Sequence, residues 1–246
     1  MKSRDAELLN LNNSIHKMNI FRTILGCALL GILHSCQPPV VFGEPQPVGT
    51  GEISSIPRSY QGIYWCKVDS ASLFVDDKAF IKRKEFLVTL TNEEIEADPE
   101  LQLQNDRLYV NSWGQSFPTE KKGDTVISSI IVRDTIFAIR PEQILKPFKG
   151  HLILNTKLDE NIWGVLVVSH KGEGILSLAR AELPENLSGL DSITSVRTLA
   201  KKDNTETQIL IRPTKEEFER ILQNRLLFDA SCTEFERIIP LKKHIY

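Results

Sequence analysis

The sequence has little charge imbalance, few cysteines, no catalytic signature and no long apolar run. Each shortage narrows what the chain can do. Formal net charge is −2 over 246 residues, with 30 basic and 32 acidic side chains interspersed. That balance does not call for nucleic acid or an anionic membrane surface. The densest basic patch, Lys82-Arg83-Lys84, reads as a solvated strand end. Gly-x-Ser-x-Gly, a phosphate-cradling glycine loop and His-Glu-x-x-His are all missing, so neither catalytic residues nor a cofactor are assigned. Ser169 and His170 are adjacent, and strand neighbours point to opposite faces, which excludes a direct nucleophile–base pair between them. His151 opens a predicted strand without an acid nearby and reads as a structural histidine. Asp76-Asp77, Glu93-Glu94 and Asp159-Glu160 fall in predicted turns, where solvation accounts for them. The apolar run over 24–33 is far shorter than the roughly 20 residues a membrane-spanning helix needs.

That short run is nevertheless the most informative segment. Basic Lys17 and Arg22 precede it and Leu33-His34-Ser35-Cys36 closes it, in the three-part order of a secretory signal. The closing tetrapeptide resembles a bacterial lipobox. The resemblance implies that 1–35 is a cleaved leader and that Cys36 is acylated and becomes the first residue of the mature chain. Met18 opens a leader of ordinary length, unlike the polar stretch 1–17, so translation is expected to start there. Prolines 38, 39, 45 and 47 with glycines 43, 49 and 51 predict a tether over 36–56, unable to form a helix or regular sheet. Some Bacteroidota-type lipoproteins carry an acidic cluster after the cysteine that directs them to the cell surface. Here 37–41 reads Gln-Pro-Pro-Val-Val, which favours an outer-membrane protein facing the periplasm.

Of four cysteines, Cys27 lies in the leader and Cys36 would carry lipid, leaving Cys66 and Cys232 in an oxidising compartment. A disulfide between them would join the first strand of the domain to its last. Two free buried thiols are the alternative, because sequence separation carries no distance. Neither cysteine has a partner at ligand spacing, so no metal site is expected.

Roughly 210 residues follow the leader, enough for one sizeable domain or two small ones. From Tyr60 onward short apolar stretches alternate with turn signals, predicting a mainly β (α+β) domain over 57–240: an antiparallel sheet, sandwich or partly closed barrel. Strands are expected at 60–66, 72–75, 79–81, 86–90, 101–103, 107–111, 126–132 and 135–139. The second half adds a meander at 151–157, 161–169 and 174–181, then strands at 195–199, 207–211 and 233–239. Thr91 with Glu94, and Thr214 with Glu217, form capping boxes; the second opens a helix whose Phe218, Ile221 and Leu222 share one face. Tyr60-Gln61-Gly62 resembles Phe148-Lys149-Gly150 in layout, so two related modules, 57–140 and 147–240, are a second reading.

Trp65, Trp113 and Trp163, with Tyr60, Tyr64 and Tyr109, could line a pocket or a glycan platform, although core packing is the common fate of strand aromatics. Ser70, Thr125, Thr135 and Ser192 each follow an aspartate and precede a small or aliphatic residue. That pattern resembles the O-glycosylation acceptor of Bacteroidota, and a strand beginning after a turn has the same look. Through the lipobox, the Pro-rich tether and these acceptor-like motifs the chain resembles uncharacterised Bacteroidota lipoproteins, a resemblance that leaves the activity of the folded domain open. The resulting expectation is a non-enzymatic envelope component, anchored to the membrane by lipid and meeting a protein partner. A small-ligand carrier of barrel type is the alternative, and a hydrolase comes third.

Overall fold

The computed structural model describes residues 38–184, 186–199, 208–228 and 233–239. In chain order, strand β1 (Val40–Phe42) is followed by β2 (Gly62–Cys66), β3 (Ala71–Val75) and the long β4 (Ala79–Thr91). Next come helix α1 (Asn92–Ala97), β5 (Leu101–Gln104), β6 (Arg107–Val110), a 3₁₀ turn (Asn111–Trp113), β7 (Gln115–Lys122) and the long β8 (Thr125–Ala138). Strands β9 (Gln143–Phe148), β10 (His151–Asp159), β11 (Ile162–His170) and β12 (Ile175–Arg180) form the expected meander with one extra strand. Helix α2 (Ser188–Asp191), β13 (Val196–Leu199), β14 (Gln208–Ile211), α3 (Lys215–Gln223) and β15 (Thr233–Ile239) complete the chain. The mainly β class with a helix near the C-terminal end therefore holds. The sheet is mixed, because β1 runs parallel to β14, and its path of paired strands does not close on itself.

The described residues form two compact units, Leu87–Ile130 and a larger one of Pro38–Phe86 with the residues from Ile131 onward. In the larger unit the strand order is β13-β14-β1-β11-β12-β15-β2-β3-β4, with β9 and β10 continuing from β11. The first strand of the domain, β2, thus pairs with the last, β15. β10 fills one edge of β11, whose other edge is shared between β1 at Trp163 and β12 from Leu166 onward. β10 is buried on both sides: Ile153 joins one core and Leu152 and Leu154 the other. Helix α3 covers the first core, setting Phe218 edge-on to Phe42 and Phe228. Its N-cap is Thr214, paired with Glu217 as the sequence predicts. The second core holds Tyr64, Leu73, Val75, Phe80 and Phe137. In the smaller unit, α1, β5, β6 and β7 close over Leu90, Ile95, Leu101, Leu108 and Phe117, and the Thr91/Glu94 capping box opens α1.

The tether expected over 36–56 is corrected from Pro38 onward. Val40, Val41 and Phe42 are fully buried, and β1 inserts between β14 and β11. The prolines do not prevent this, since Pro38 and Pro39 precede the strand and still accept hydrogen bonds through their carbonyls. Farther on, Ile53 N–H bonds to Leu145 O and Ile56 N–H to Asp77 O, so the path to β2 is also held.

One side chain fixes that path. Asn155 is fully buried; its Oδ1 accepts from Gln46 N at 2.6 Å and its Nδ2 donates to Gln46 O at 2.8 Å. The amide thereby replaces a strand neighbour, satisfying both polar groups of one peptide residue. Beside it the Lys146 ammonium donates to Pro45 O and Pro47 O. Burial pulls that lysine below its ordinary range, and Glu52 and Glu44 partly offset the shift.

Three further expectations are corrected. Strands 79–81 and 86–90 are one strand, β4, with Lys82-Arg83-Lys84 in its middle and not at its end. Likewise 126–132 and 135–139 fuse into β8 across Arg133-Asp134. Charged side chains on a solvated face do not interrupt a ladder, because the backbone makes the bonds. Strands β7 and β9 were not expected, and each contains a proline, Pro118 or Pro147, that argues against a strand in sequence.

The clamp is testable. Asn155→Ala leaves Gln46 N–H and C=O buried without partners and is expected to cost about 2–4 kcal/mol in urea unfolding. Exposed Lys157→Ala is expected to stay within about 0.5 kcal/mol. Equal effects of the two substitutions would remove the clamp's role.

Candidate functional site

In β2 the residues Tyr64 and Cys66 point into the core, so Ile63 and Trp65 point the other way. The register continues this outer row: Ile63 faces Phe74 and Trp65 faces Ser72 on β3, and Phe74 faces Ile81 on β4. On the other side Trp65 faces Glu236 of β15, and Ile238 lies at the bulge in that strand. Trp65 is 40% and Ile238 55% exposed; Ile63, Phe74 and Ile81 are half-buried, and none of the five joins a described core. Arg83 and Glu85 of β4 and Glu234 and Glu236 of β15 add charges to the same face, Arg83 pairing with Glu85 at 3.7 Å. Strands apolar at both parities are ordinarily covered on both sides. Here one side is covered by the molecule's own core, and the other carries aromatic and aliphatic side chains next to water.

A second cluster lies on β10, β11 and β12. His151 Nδ1 and Ser169 Oγ are 2.6 Å apart, joined by the register that sets His151 opposite Ser169, with Ser177 opposite Ser169 in turn. The serine thus meets a histidine 18 residues away and not its neighbour His170, whose ring packs on Tyr60. The pair sits within a regular ladder with strands on both edges of β11, where backbone N–H groups are committed to neighbouring strands and cannot converge on an oxyanion. The contact therefore fits a satisfied polar pair. Tyr60 Oη donates to Gly150 O, so the two similar-looking segments around Gly62 and Gly150 touch each other.

A third feature is an open polar cleft of about 490 Å3 lined by Gly43, Glu44, Pro45, Asn161, Trp163 and Arg212. Arg212 lies across Gly43, where any side-chain carbon would collide with the guanidinium stem.

The residues singled out in sequence are dispersed. Cys36 and Cys232 lie outside the described residues. Cys66 is buried with a free thiol whose sulfur accepts from Asp69 N. Ser70, Thr135 and Ser192 are exposed and Thr125 is half-buried. Ser192 Oγ already donates to Gly189 O, and Asp69 before Ser70 pairs with Lys82, whose ammonium holds the carboxyl below its usual range. Trp113 packs edge-on to Phe117, Trp163 borders the cleft, and Tyr60 and Tyr64 are core. The carboxylate pairs do local work: Asp76 Oδ1 accepts from Lys78 N and Ala79 N, Glu94 caps α1, and Asp159 accepts from Glu160 N. Among the described residues no helix is long and apolar enough to cross a membrane. Comparison with known proteins finds no matching family model, curated protein or solved structure.

Burial pushes the imidazoles of His151 and His170 below their ordinary 6.5, and Arg237 adds to the shift at His170. The unfolded chain therefore binds protons that the folded chain resists. Stability is expected to fall as pH drops below about 6.5 toward the lowered folded values. Urea unfolding at stepped pH measures this slope, and combining His151→Gln with His170→Gln should flatten it. An unchanged slope in that double variant would assign the pH dependence to other groups.

Proposed function

We propose that this chain is a lipid-anchored envelope protein, facing the periplasm from the outer membrane, that binds a protein partner without catalysing a reaction. The lipobox-like Leu33-His34-Ser35-Cys36 supports the anchor. The carrying observation for the activity is the row on β15-β2-β3-β4 in which exposed Trp65 and Ile238 flank half-buried Ile63, Phe74 and Ile81, all outside the described cores. Interfaces favour such aromatic and aliphatic anchors with few charges at their centre. The Ser169–His151 pair supports a hydrolase poorly, for want of oxyanion donors, and an unclosed sheet supplies no barrel interior for a carrier.

Photocrosslinking in intact cells tests this reading. A photoreactive residue at Trp65 or Phe74 should give one discrete protein adduct, whereas one at exposed Lys157 should give none. Ile63→Lys should abolish the adduct in a protein that still folds, at a cost of about 1–2 kcal/mol for this half-buried strand position, checked by urea unfolding. The same adducts from all three positions, or persistence in Ile63→Lys, would contradict the assignment.

A further inference from the structure

We propose that the folded domain stands directly on the bilayer, with the N-terminal end of β1 against the lipid headgroups and no spacer between them. This rests on the lipid-anchor reading of Cys36 and adds where the domain sits. Pro38 is the second residue after Cys36. A chain spans at most about 3.6 Å per residue, so the two Cα atoms are no more than roughly 7 Å apart. Pro38 itself is held: its carbonyl accepts from Gln208 Nε2 at 2.9 Å, and the next carbonyl, of Pro39, accepts from Ile209 N at 2.9 Å. Val40, Val41 and Phe42 then pair with Ile209, Leu210 and Ile211 and are fully buried. Lengthening the leash would mean stripping β1 out of the sheet and exposing those three side chains.

Acyl chains on a cysteine enter the bilayer at headgroup level, so that level and Pro38 cannot separate. The start of β14 and the end of β13, where Leu199 faces Gln208, lie at the same end of the sheet, and so do the start of β10 and the end of β11, because Phe42 opposite Trp163 sets Val167 level with Pro38 and His170 beyond it. A free tether of about 15 residues would instead reach some 20 Å and let the domain tumble. β1 runs from this contact toward Gly43. Because Phe42 faces Trp163, Asn161 is about six residues farther along the strand direction, roughly 20 Å from Pro38. The cleft of Gly43, Glu44, Pro45, Asn161, Trp163 and Arg212 accordingly opens at the membrane-distal end of β1. Covalent reach and not charge sets the contact, so the occupant of this surface is the bilayer that holds the lipid.

The test uses full-length protein purified from membranes, with its acyl mass checked by mass spectrometry, in phosphatidylcholine vesicles containing nitroxide-headgroup lipid. A fluorophore is placed on Thr198→Cys or Asn161→Cys, both exposed positions, with unsubstituted protein as the background. Because reach limits the gap, quenching at position 198 should exceed that at 161 by at least about two-fold. Inserting about twenty Gly/Ser residues between Gln37 and Pro38 should remove the difference. An acylated protein quenched equally at both positions, or indifferent to the insertion, overturns this proposal and leaves the anchor standing. A protein without acyl mass overturns the anchor reading and this one with it.

Discussion

The insertion of β1 between β14 and β11 is the constraint on which the rest of the larger unit depends. Among the described residues, three apolar residues, Val40 to Phe42, link the β13–β14 pair to the central strands in the sheet path. They also supply Phe42 to the core that α3 covers. The segment that follows forms no strand before β2, and Asn155 and Lys146 bond its peptide groups at Gln46, Pro45 and Pro47 from β10 and β9. A buried amide and a buried ammonium are costly unless fully bonded, and here each has partners.

The same economy explains what remains exposed. Once β10 and β11 take a core on each side, the strands β15, β2, β3 and β4 keep one side for the second core and turn the other to water. β2 and β3 are apolar on both sides, with Ile63-Tyr64-Trp65 the plainest case, whereas β4 and β15 add Arg83, Glu85, Glu234 and Glu236 to the outer side. Such a face is expensive to leave wet and is useful where a partner covers it. A polar cleft and a histidine–serine contact accompany it, but the cleft lacks apolar depth and the contact lacks converging donors. The face therefore carries the functional argument.

Much of this was legible in the chain. The capping boxes at Thr91 and Thr214 are local chemistry and were read correctly, as were the meander of β10 to β12 and the closing strand β15. What escaped was decided by partners distant in sequence. Lys82 to Lys84 and Arg133-Asp134 look like breaks, yet they ride on continuous strands whose solvated faces accept charge. The proline-rich stretch after Cys36 looks like a tether, yet Val40 to Phe42 finds a slot offered by residues about 120 and 170 positions later. Ser169 meets His151 through register alone, and the role of Asn155 depends on Gln46, 109 residues away. Trp65 stands in sequence as one of six aromatics for a pocket, a glycan platform or the core, and its place beside Phe74 and Ile81 is visible only when pairing aligns them.

The most direct measurement is metabolic palmitate labelling of wild type and Cys36→Ala, followed by membrane fractionation and protease treatment of intact cells. The account predicts a labelled wild type in the membrane fraction that resists protease, and an unlabelled variant released from it. An unlabelled wild type, or a Cys36→Ala protein that stays with the membrane, would contradict the anchor and with it the placement of Pro38 and β1 at the bilayer.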